Sequence, residues 1–370
     1  MRKKNNYMLK QLQIFFDFLR FCIGSTKEIP DSSKEADWKE LYAIAQKQAL
    51  LGVLFYGIRR LPKELAPEQK LLMQWMVMAE QIRKQNIRLF QDSVKVCQNF
   101  ENEGFANCIL KGQGNALLYP NPYMRTPGDI DIYLSGGRRK IMKYVDQVCP
   151  NQVMRYHHVD FPVMKTAIEV HFTPSYMFCP IHNRRMQKWF EEVMGEQCNH
   201  RVSLPDGYGE IHVPQVSFNV IYILSHLYRH IFTEGIGLRQ LLDYYYVLIS
   251  DDLLLIRDRV QKELKYLGLW KFAQAVMFVV KVVFGLSENR MIAPMDEKEG
   301  RFLLDEIMRG GNFGQYDDRM GSKVGESKIH RYFRMNLRNL RFVKHYPTEA
   351  LSEPLFRTWF AVWKKIHTIE

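Results

Sequence analysis

The sequence predicts an α+β fold in which a small mixed sheet is flanked by helical segments. Three observations lead to this fold class. Apolar residues have helical spacing before Gly104, short strand-like runs follow it, and helical spacing returns from Val216. We therefore expect an N-terminal helical region at 1–104, an α/β core at 105–215 and a C-terminal helical domain with basic terminal helices at 216–370.

The N-terminal region is predicted to consist of amphipathic helices. The basic start "MRKK" precedes an apolar run that polar residues interrupt, which favours an amphipathic helix over a signal peptide. No stretch has the roughly 20 uninterrupted apolar residues that a membrane-spanning helix needs. The six cysteines form no C-x-x-C pair, so we expect a reducing, cytoplasmic environment.

The predicted core alternates short strands with helices. "FANCIL", "DIDIYL", "QVMRYHHVDFPVM" and "TAIEVHF" are strand-like, and the helical "RRKIMKYVDQV" lies between the second and third of these runs. A helix in "IHNRRMQKWFEEVMGEQ" and a hairpin or covering loop in "RVSLPDGYGEIHVP" follow.

The C-terminal region is predicted to be helical, with a break at Gly235 and Gly237 and a loop over 310–327. The helix after that loop carries four arginines on one stripe: Arg331, Arg334, Arg338 and Arg341. The net charge of +12 favours anionic partners such as nucleotides, nucleic acid or a membrane surface. A solvated amphipathic helix and a surface that binds RNA or anionic lipid both remain open for this stripe.

Two aspartates interrupt the apolar run "DIDIYL". On a strand Asp129 and Asp131 point to the same face, and Glu169 in "TAIEVHF" alternates out of a second apolar strand. Like charges this close are tolerated when a cation neutralises them, and Mg²⁺ suits carboxylate oxygens. Three carboxylates can hold two Mg²⁺ ions for in-line phosphoryl displacement, so this trio is the predicted metal and catalytic site.

The stretch before these aspartates is predicted to bind phosphate. Lys111, Gly112, Gln113 and Gly114 follow a strand and open a helix, and glycine lets backbone N–H groups approach phosphate oxygens. Lys111 or Arg125 could add positive charge to the same triphosphate.

Four residues are candidates for the acceptor side or for a general base: His171, His226, His230 and Asp243. His171 shares a strand face with Glu169, and His226 and His230 share a helix face. Those two could also bind zinc, but the sequence indicates no third ligand. Arg239 and Asp243 could form an intrahelical salt bridge, or Arg239 could reach phosphate while Asp243 deprotonates an acceptor hydroxyl.

The order of strand, glycine turn, helix, D-h-D strand and h-E-h strand resembles the polymerase-beta-like nucleotidyltransferase superfamily. Over roughly residues 40–315 the chain looks like a bacterial family of uncharacterised nucleotidyltransferases, most specifically in "LKGQGNALLYPNPYMRTPGDIDIYL". The resemblance implies that Asp129, Asp131 and Glu169 bind metal and that Gly112 forms the turn that holds the triphosphate. The chain departs from the superfamily pattern at Gln113, where glycine or serine is usual.

The resemblance implies transfer of a nucleoside monophosphate from an NTP, with AMP from ATP expected, to a hydroxyl of a small molecule or protein. Two alternatives remain open. One is a binding or scaffold protein that kept the fold and lost the chemistry, as Gln113 would allow. The other is RNA-directed transfer, which the net charge and the basic helix would allow but which is not favoured.

Overall fold

The structure is a computed structural model that describes residues 2–320 and 327–367, so 321–326 of the predicted loop lies outside the described residues. The helices lie at these positions: α1 Arg2–Cys22, α2 Trp38–Lys47, α3 Leu51–Ile58, α4 Gln69–Asn102, α5 Gln113–Ala116, α6 Gly137–Val148, α7 Pro180–Gln197, α8 Val216–Thr233, α9 Leu238–Leu248, α10 Asp252–Tyr266, α11 Trp270–Phe284, α12 Glu297–Gly310, α13 Lys328–Val343 and α14 Pro347–His367. The strands are β1 Asn107–Ile109, β2 Ile130–Leu134, β3 His158–Asp160, β4 Ile168–His171, β5 Arg201–Ser203 and β6 Glu210–His212. The predicted α+β class is confirmed.

A mixed sheet in the order β1-β2-β4-β3 forms the centre of the core. The pair β2 and β4 is parallel, while β1 and β3 lie antiparallel to their neighbours at the two edges. The register places Asp131 opposite Glu169 and Tyr133 opposite His171. Side chains alternate between the faces of a strand, so one face carries these polar residues and the other buries Ile130 and Ile132.

Two clusters of apolar side chains stabilise the molecule. One lies beneath the sheet and includes residues from α4, α6 and the β5–β6 hairpin. The other joins the N-terminal helices to the C-terminal helices, and α1 contributes Phe15, Phe18 and Leu19 to it while packing against α11. The predicted boundaries at 104 and 215 stay predictions, although the first and third regions share one apolar core.

Most predicted elements are present. The helix break at Gly235 and Gly237 separates α8 from α9, and "RVSLPDGYGEIHVP" forms the β5–β6 hairpin. The long strand expected in "QVMRYHHVDFPVM" is shorter, because only His158–Asp160 forms ladder bonds with β4, and Met154 adds one isolated bridge. Within residues 2–320 and 327–367, no helix combines the length and apolar character needed to cross a bilayer.

The predicted arginine stripe on α13 does not face solvent as a set. Arg338 is buried and its guanidinium donates to the Thr233 carbonyl, while Arg341 forms an ion pair with Glu306. The exposed side of the helix is apolar instead and carries Phe333, Leu337 and Leu340. Arg341 turns inward because α12 and the loop after it supply the carboxylates of Glu306 and Asp317, whereas Arg331 is exposed, so the four arginines do not form one continuous basic surface.

Candidate active site

The turn between β1 and α5 requires a glycine at its centre. Gly112 has φ 63° and ψ −109°, a conformation that side chains with a Cβ rarely adopt. Lys111 and Gly112 line a cleft next to this turn, whose empty volume is about 550 Å³ including the space open to solvent. The predicted role of Gly112 as the turn residue therefore has a direct conformational reason.

Gln113 and Gly114 do not line this cleft. The Gln113 side chain is fully buried, and neither its amide nitrogen nor its amide oxygen has a hydrogen-bond partner in the described part of the chain. A Cβ on Gly114 would lie 2.9 Å from Val213 Cγ1, so this glycine serves close packing. Helix α5 is a single turn of 4 residues, too short for an appreciable dipole. The predicted phosphate contacts of these two residues have no support from the geometry.

Two of the three predicted carboxylates meet on neighbouring strands. Asp131 and Glu169 are direct cross-strand neighbours, and both contact His171 Nε2, at 3.0 Å from Asp131 Oδ1 and 3.5 Å from Glu169 Oε2. Asp129 lies one residue before β2, at the edge of the cleft, and its carboxylate has no ion-pair partner among the described residues. The structure therefore brings together two acids and a histidine and places the third acid beside them.

Lys111 and His171 compensate the charge of Asp131. Lys111 Nζ lies 3.1 Å from Asp131 Oδ1. Burial acts to raise the pKa of Asp131, but the Lys111 charge and the hydrogen bond from His171 outweigh burial and hold this pKa below its usual value. For His171, burial acts to lower the pKa, but the hydrogen bonds to Asp131 and Glu169 raise it overall. Asp131 is thus held as a carboxylate in a buried place.

Asp129 is in the opposite situation. The nearby negative charge of Asp131, followed by burial, raises the pKa of Asp129 to about 6, although Lys111 opposes the shift. This repulsion is the one that the sequence analysis expected for two carboxylates on one strand face. Asp129 is therefore the site carboxylate that is most easily protonated near neutral pH.

The wall opposite the sheet comes from α8 and α9. His226 lines the cleft and lies 3.4 Å from Lys111 Nζ, while burial and the Lys111 charge keep the pKa of His226 well below its usual range. The His230 ring packs against that of His226 at a centroid distance of 4.3 Å with the planes tilted by 57°, and His230 Nδ1 lies 3.3 Å from Glu234 Oε2. Among the described residues neither histidine belongs to a group that could hold a metal, so the zinc interpretation has no third ligand here.

Arg125 and Asp243 form a buried ion pair with each other. Arg125 donates Nε–H and Nη2–H to the two Asp243 oxygens at 2.8 and 2.7 Å, and Tyr119 donates its hydroxyl to the same carboxylate at 2.7 Å. With both oxygens engaged, Asp243 is a poor choice for the predicted general base. Only the Arg125 Nη1 group has no partner, so this group is the part of Arg125 that could still contact phosphate.

The intrahelical salt bridge considered for Arg239 is not formed, because Asp243 pairs with Arg125. Arg239 lies in the cleft with its guanidinium 5.6 Å from the centre of the Phe313 ring, and its Nε has no hydrogen-bond partner in the described chain. This arrangement leaves Arg239 as a cation in the cleft without a carboxylate partner in contact.

Two groups of residues near the site were not predicted from the sequence. The cleft also contains Tyr222, Gln240 and Phe313, which come from helical segments or a loop with no recognisable motif. On β3, His158 and Asp160 lie opposite His171 and Glu169. The alternating polar positions of "HVD" were a usable signal for that second group, since strand alternation places them on the face of the acids.

The carboxylates fit a hard divalent cation. The donor atoms of Asp131, Glu169 and His171 lie within 4.8 Å of one another, and the free carboxylate of Asp129 borders the same cleft. Two oxygen donors with a third nearby suit Mg²⁺, which prefers carboxylates and water. Lys111 Nζ now lies where a cation could contact Asp131, so an ion at this carboxylate would displace the ammonium group.

Fold and site together define a class of protein: an α+β core in which Asp131 lines a cleft with cationic walls and Glu169 lies beside it on the adjacent parallel strand. A sequence model of the family described as "Uncharacterised nucleotidyltransferase" matches residues 34–285, which is more than half of the chain. The chain belongs to this nucleotidyltransferase family, as the sequence resemblance indicated. No individually curated protein and no solved structure gave a significant match.

Proposed function

We propose that this protein transfers a nucleoside monophosphate, with ATP as the expected donor, to a hydroxyl of a small molecule or protein. In this reaction the acceptor oxygen forms a bond to the α-phosphorus, the bond from the α-phosphorus to the bridging oxygen breaks, and pyrophosphate leaves. The family assignment supports nucleotidyl transfer in general. The choice of AMP and of the acceptor class is our extension of it.

One observation carries the proposal. Asp129 and Asp131 line a cleft that also contains Lys111, Arg125 and Arg239, and Glu169 is the cross-strand neighbour of Asp131 on the adjacent parallel strand. A triphosphate needs cations along its oxygens, whereas the reacting phosphorus needs acids that can hold metal ions. Two of the acids and the cations lie within one cleft, and the third acid adjoins it.

Each residue then has a role that follows from its contacts. Lys111 and Arg239 would bind the triphosphate as cations, and the Gly112 turn would let it approach the backbone. Asp129, Asp131 and Glu169 would hold two Mg²⁺ ions, which supply charge stabilisation for the transferred and departing phosphates. His171 would keep Asp131 and Glu169 oriented through its contacts with both.

The acceptor proton needs a base in the site. Asp129 is excluded from this role, because in this proposal its carboxylate holds Mg²⁺. His226 lines the cleft and is the remaining candidate, and it is a weak base, since burial and the Lys111 charge disfavour its protonated form.

The alternatives fit the geometry less well. Two of the four arginines on α13, Arg338 and Arg341, turn inward, so the basic stripe that suggested RNA-directed transfer is not one continuous surface. A scaffold protein without activity would explain the buried Gln113, but it gives no reason for Arg239, a cation in the cleft that has no carboxylate partner among the described residues. We also propose a cytoplasmic location, because all six cysteines are free.

The test is pyrophosphate release from ATP and Mg²⁺ in the presence of a cell extract that supplies acceptors. Wild-type protein is expected to release pyrophosphate, and the double variant Asp129→Asn with Asp131→Asn is expected to lose at least 100-fold of this activity, on the order of the effect of removing a group that stabilises a transition state. Asp146→Asn, an exposed acid on α6, is the matched control and should keep full activity.

Circular dichroism would show that the double variant remains folded. Equal pyrophosphate release by wild type and the double variant would refute the assignment of the acids. No release by wild type with any acceptor fraction would favour the scaffold alternative.

A further inference from the structure

A second polar group lies on the far side of Glu169 from the cleft. Strand β3 is the edge of the sheet, and its register with β4 places Asp160 opposite Glu169 and His158 opposite His171. Since Asp131 is opposite Glu169 on the other side, three carboxylates form one row across three strands. Such a row is unusual, because like charges directly opposite each other destabilise a sheet.

The charges in this row are unevenly compensated. Lys111 and His171 both contact Asp131, and His171 also approaches Glu169. The Asp160 carboxylate has neither an ion pair nor a side-chain hydrogen bond among the described residues. A cation between Asp160 and Glu169 would remove this repulsion, and the chain provides no side chain that does so within the described residues.

The side chains around this gap have the spacing of metal ligands. One donor atom each from His158, Asp160 and Glu169 lies within 4.8 Å of the other two, and His158 Nδ1 is 3.4 Å from Glu169 Oε2. Neighbouring ligands of a divalent ion are separated by about 3–3.6 Å, given metal–ligand distances near 2.1 Å. All three residues are only partly buried, so water could complete the coordination.

We propose that His158, Asp160 and Glu169 form a binding site for a divalent transition-metal ion beside the Asp129–Asp131 pair, with Glu169 shared between this site and those two acids. The imidazole nitrogen distinguishes this site from the carboxylate site in the cleft. Imidazole is a ligand for first-row transition metals, whereas Mg²⁺ prefers oxygen ligands. Among those transition metals Mn²⁺ also suits carboxylates, so it matches a set of one imidazole and two carboxylates. The site is therefore expected to hold Mn²⁺ in the presence of Mg²⁺.

A purely positioning role is the competing explanation. His158 could simply hold Glu169 in place through their 3.4 Å contact. That role gives Asp160 no function, because a carboxylate opposite Glu169 would only add repulsion. Measurements on both residues therefore separate the two explanations.

The experiment measures Mn²⁺ binding to the full chain without nucleotide, through the loss of the free-ion signal in electron paramagnetic resonance. Wild type should bind one Mn²⁺ at this site and keep it in a tenfold excess of Mg²⁺. His158→Ala and Asp160→Asn should each weaken the binding at least tenfold. A pulsed measurement should also detect coupling of Mn²⁺ to an imidazole nitrogen in wild type and not in His158→Ala.

The double variant Asp129→Asn with Asp131→Asn serves as the matched control. It should keep the Mg²⁺-resistant Mn²⁺, since neither residue belongs to the proposed site, so metal binding and transfer activity can succeed or fail separately. Displacement of Mn²⁺ from wild type by equimolar Mg²⁺, or unchanged nitrogen coupling in His158→Ala, would overturn the proposal. If His158→Ala fails to fold, the loss of Mn²⁺ affinity in Asp160→Asn tests the site, because nitrogen coupling in wild type could also come from His171 beside Asp131 and Glu169.

Discussion

At the scale of single residues, long-range partners decide what each charged group near the cleft can do. Arg125 and Asp243 were both candidates for contact with the substrate. They are 118 positions apart in the sequence, and in the fold they form an ion pair with each other instead. Lys111 keeps the role expected for it as a cation of the cleft, although in this state it contacts Asp131. A charged side chain near the cleft is therefore available to a substrate only to the extent that its partners in the fold leave it free.

The buried ion pair leads to a prediction about stability. Asp243→Asn leaves the Arg125 guanidinium without its charged partner in a place that water does not reach, which should lower the free energy of unfolding by about 3–5 kcal/mol. Urea denaturation would measure the loss, with Asp146→Asn as an exposed control that changes stability by less than about 0.5 kcal/mol. A loss below about 1 kcal/mol for Asp243→Asn would mean that the pair is not buried as described.

At the scale of elements, short segments hold the site together through backbone geometry. The β1–α5 connection is one glycine turn followed by a single helical turn, and the cleft continues to Gly128 just before β2. Both glycines line the cleft, but only Gly112 has a positive φ. Helix α13 shows the same dependence on context, since it buries Arg338 and pairs Arg341 with Glu306 while Phe333, Leu337 and Leu340 stay exposed.

The two cleft glycines provide a matched comparison. Gly112→Ala forces a side chain into a backbone region that strongly favours glycine, so it should cost about 1–3 kcal/mol of stability and weaken nucleotide binding. Gly128→Ala should change stability by less than about 1 kcal/mol, because a Cβ there meets no atom within 4 Å. Urea denaturation and titration with ATP and Mg²⁺ would test both variants. Equal effects of the two substitutions would contradict a special role for the Gly112 turn.

At the scale of the whole molecule, the chain after the family match packs as part of the same structure. Glu349 on α14 is buried, and its carboxylate accepts hydrogen bonds from the backbone N–H groups of Phe178 and Cys179 at 2.7 and 3.2 Å. The same carboxylate lies 3.0 Å from His182 Nδ1. These contacts connect the last helix to the start of α7, so the segment beyond residue 285 contributes to the core rather than forming an appendage.

Buried histidines predict how the stability of the molecule depends on pH. Burial lowers the pKa values of His157 and His226 well below the usual range, and burial with the Arg229 charge lowers that of His230 to about 4, against the opposing effect of Glu234. Between pH of about 4 and 6.5 the unfolded chain therefore binds protons that the folded chain does not. These histidines make the free energy of unfolding rise with pH across this window. The rise ends above the pKa that histidine has in the unfolded chain.

His230→Gln should make that rise less steep. When the unfolded chain binds one proton more than the folded chain, the free energy of unfolding rises by about 1.4 kcal/mol per pH unit. Between pH of about 4.5 and 6.5 the slope of the variant should therefore be smaller than that of wild type by up to about 1.4 kcal/mol per pH unit. Urea midpoints measured at several pH values in EDTA would give both slopes. Identical slopes for wild type and variant would show that His230 titrates alike in the folded and unfolded chains.

The parts of the site that the sequence predicted correctly are those set by local rules. Strand alternation placed Asp131 and Glu169 on one face, and Gly112 was recognisable as a turn between a strand and a helix. Gln113 was expected in the phosphate turn, yet the structure buries its side chain away from the cleft. The direction of a side chain after a turn depends on the packing around it, and sequence spacing contains no information about that packing.

The sequence by itself determined the α+β class, the order of the strands and helices along the chain, and the acids on β2 and β4. These features follow from the apolar period of 2 in strands and of about 3.6 in helices, which depends only on residues close together in the sequence. Only the tertiary structure decided that Arg125 pairs with Asp243, that two of the α13 arginines turn inward, and that β3 adds His158 and Asp160 to the face of the acids. Those outcomes depend on contacts between residues far apart in the chain. Their energies come from burial and charge compensation, which exist only once the elements have packed.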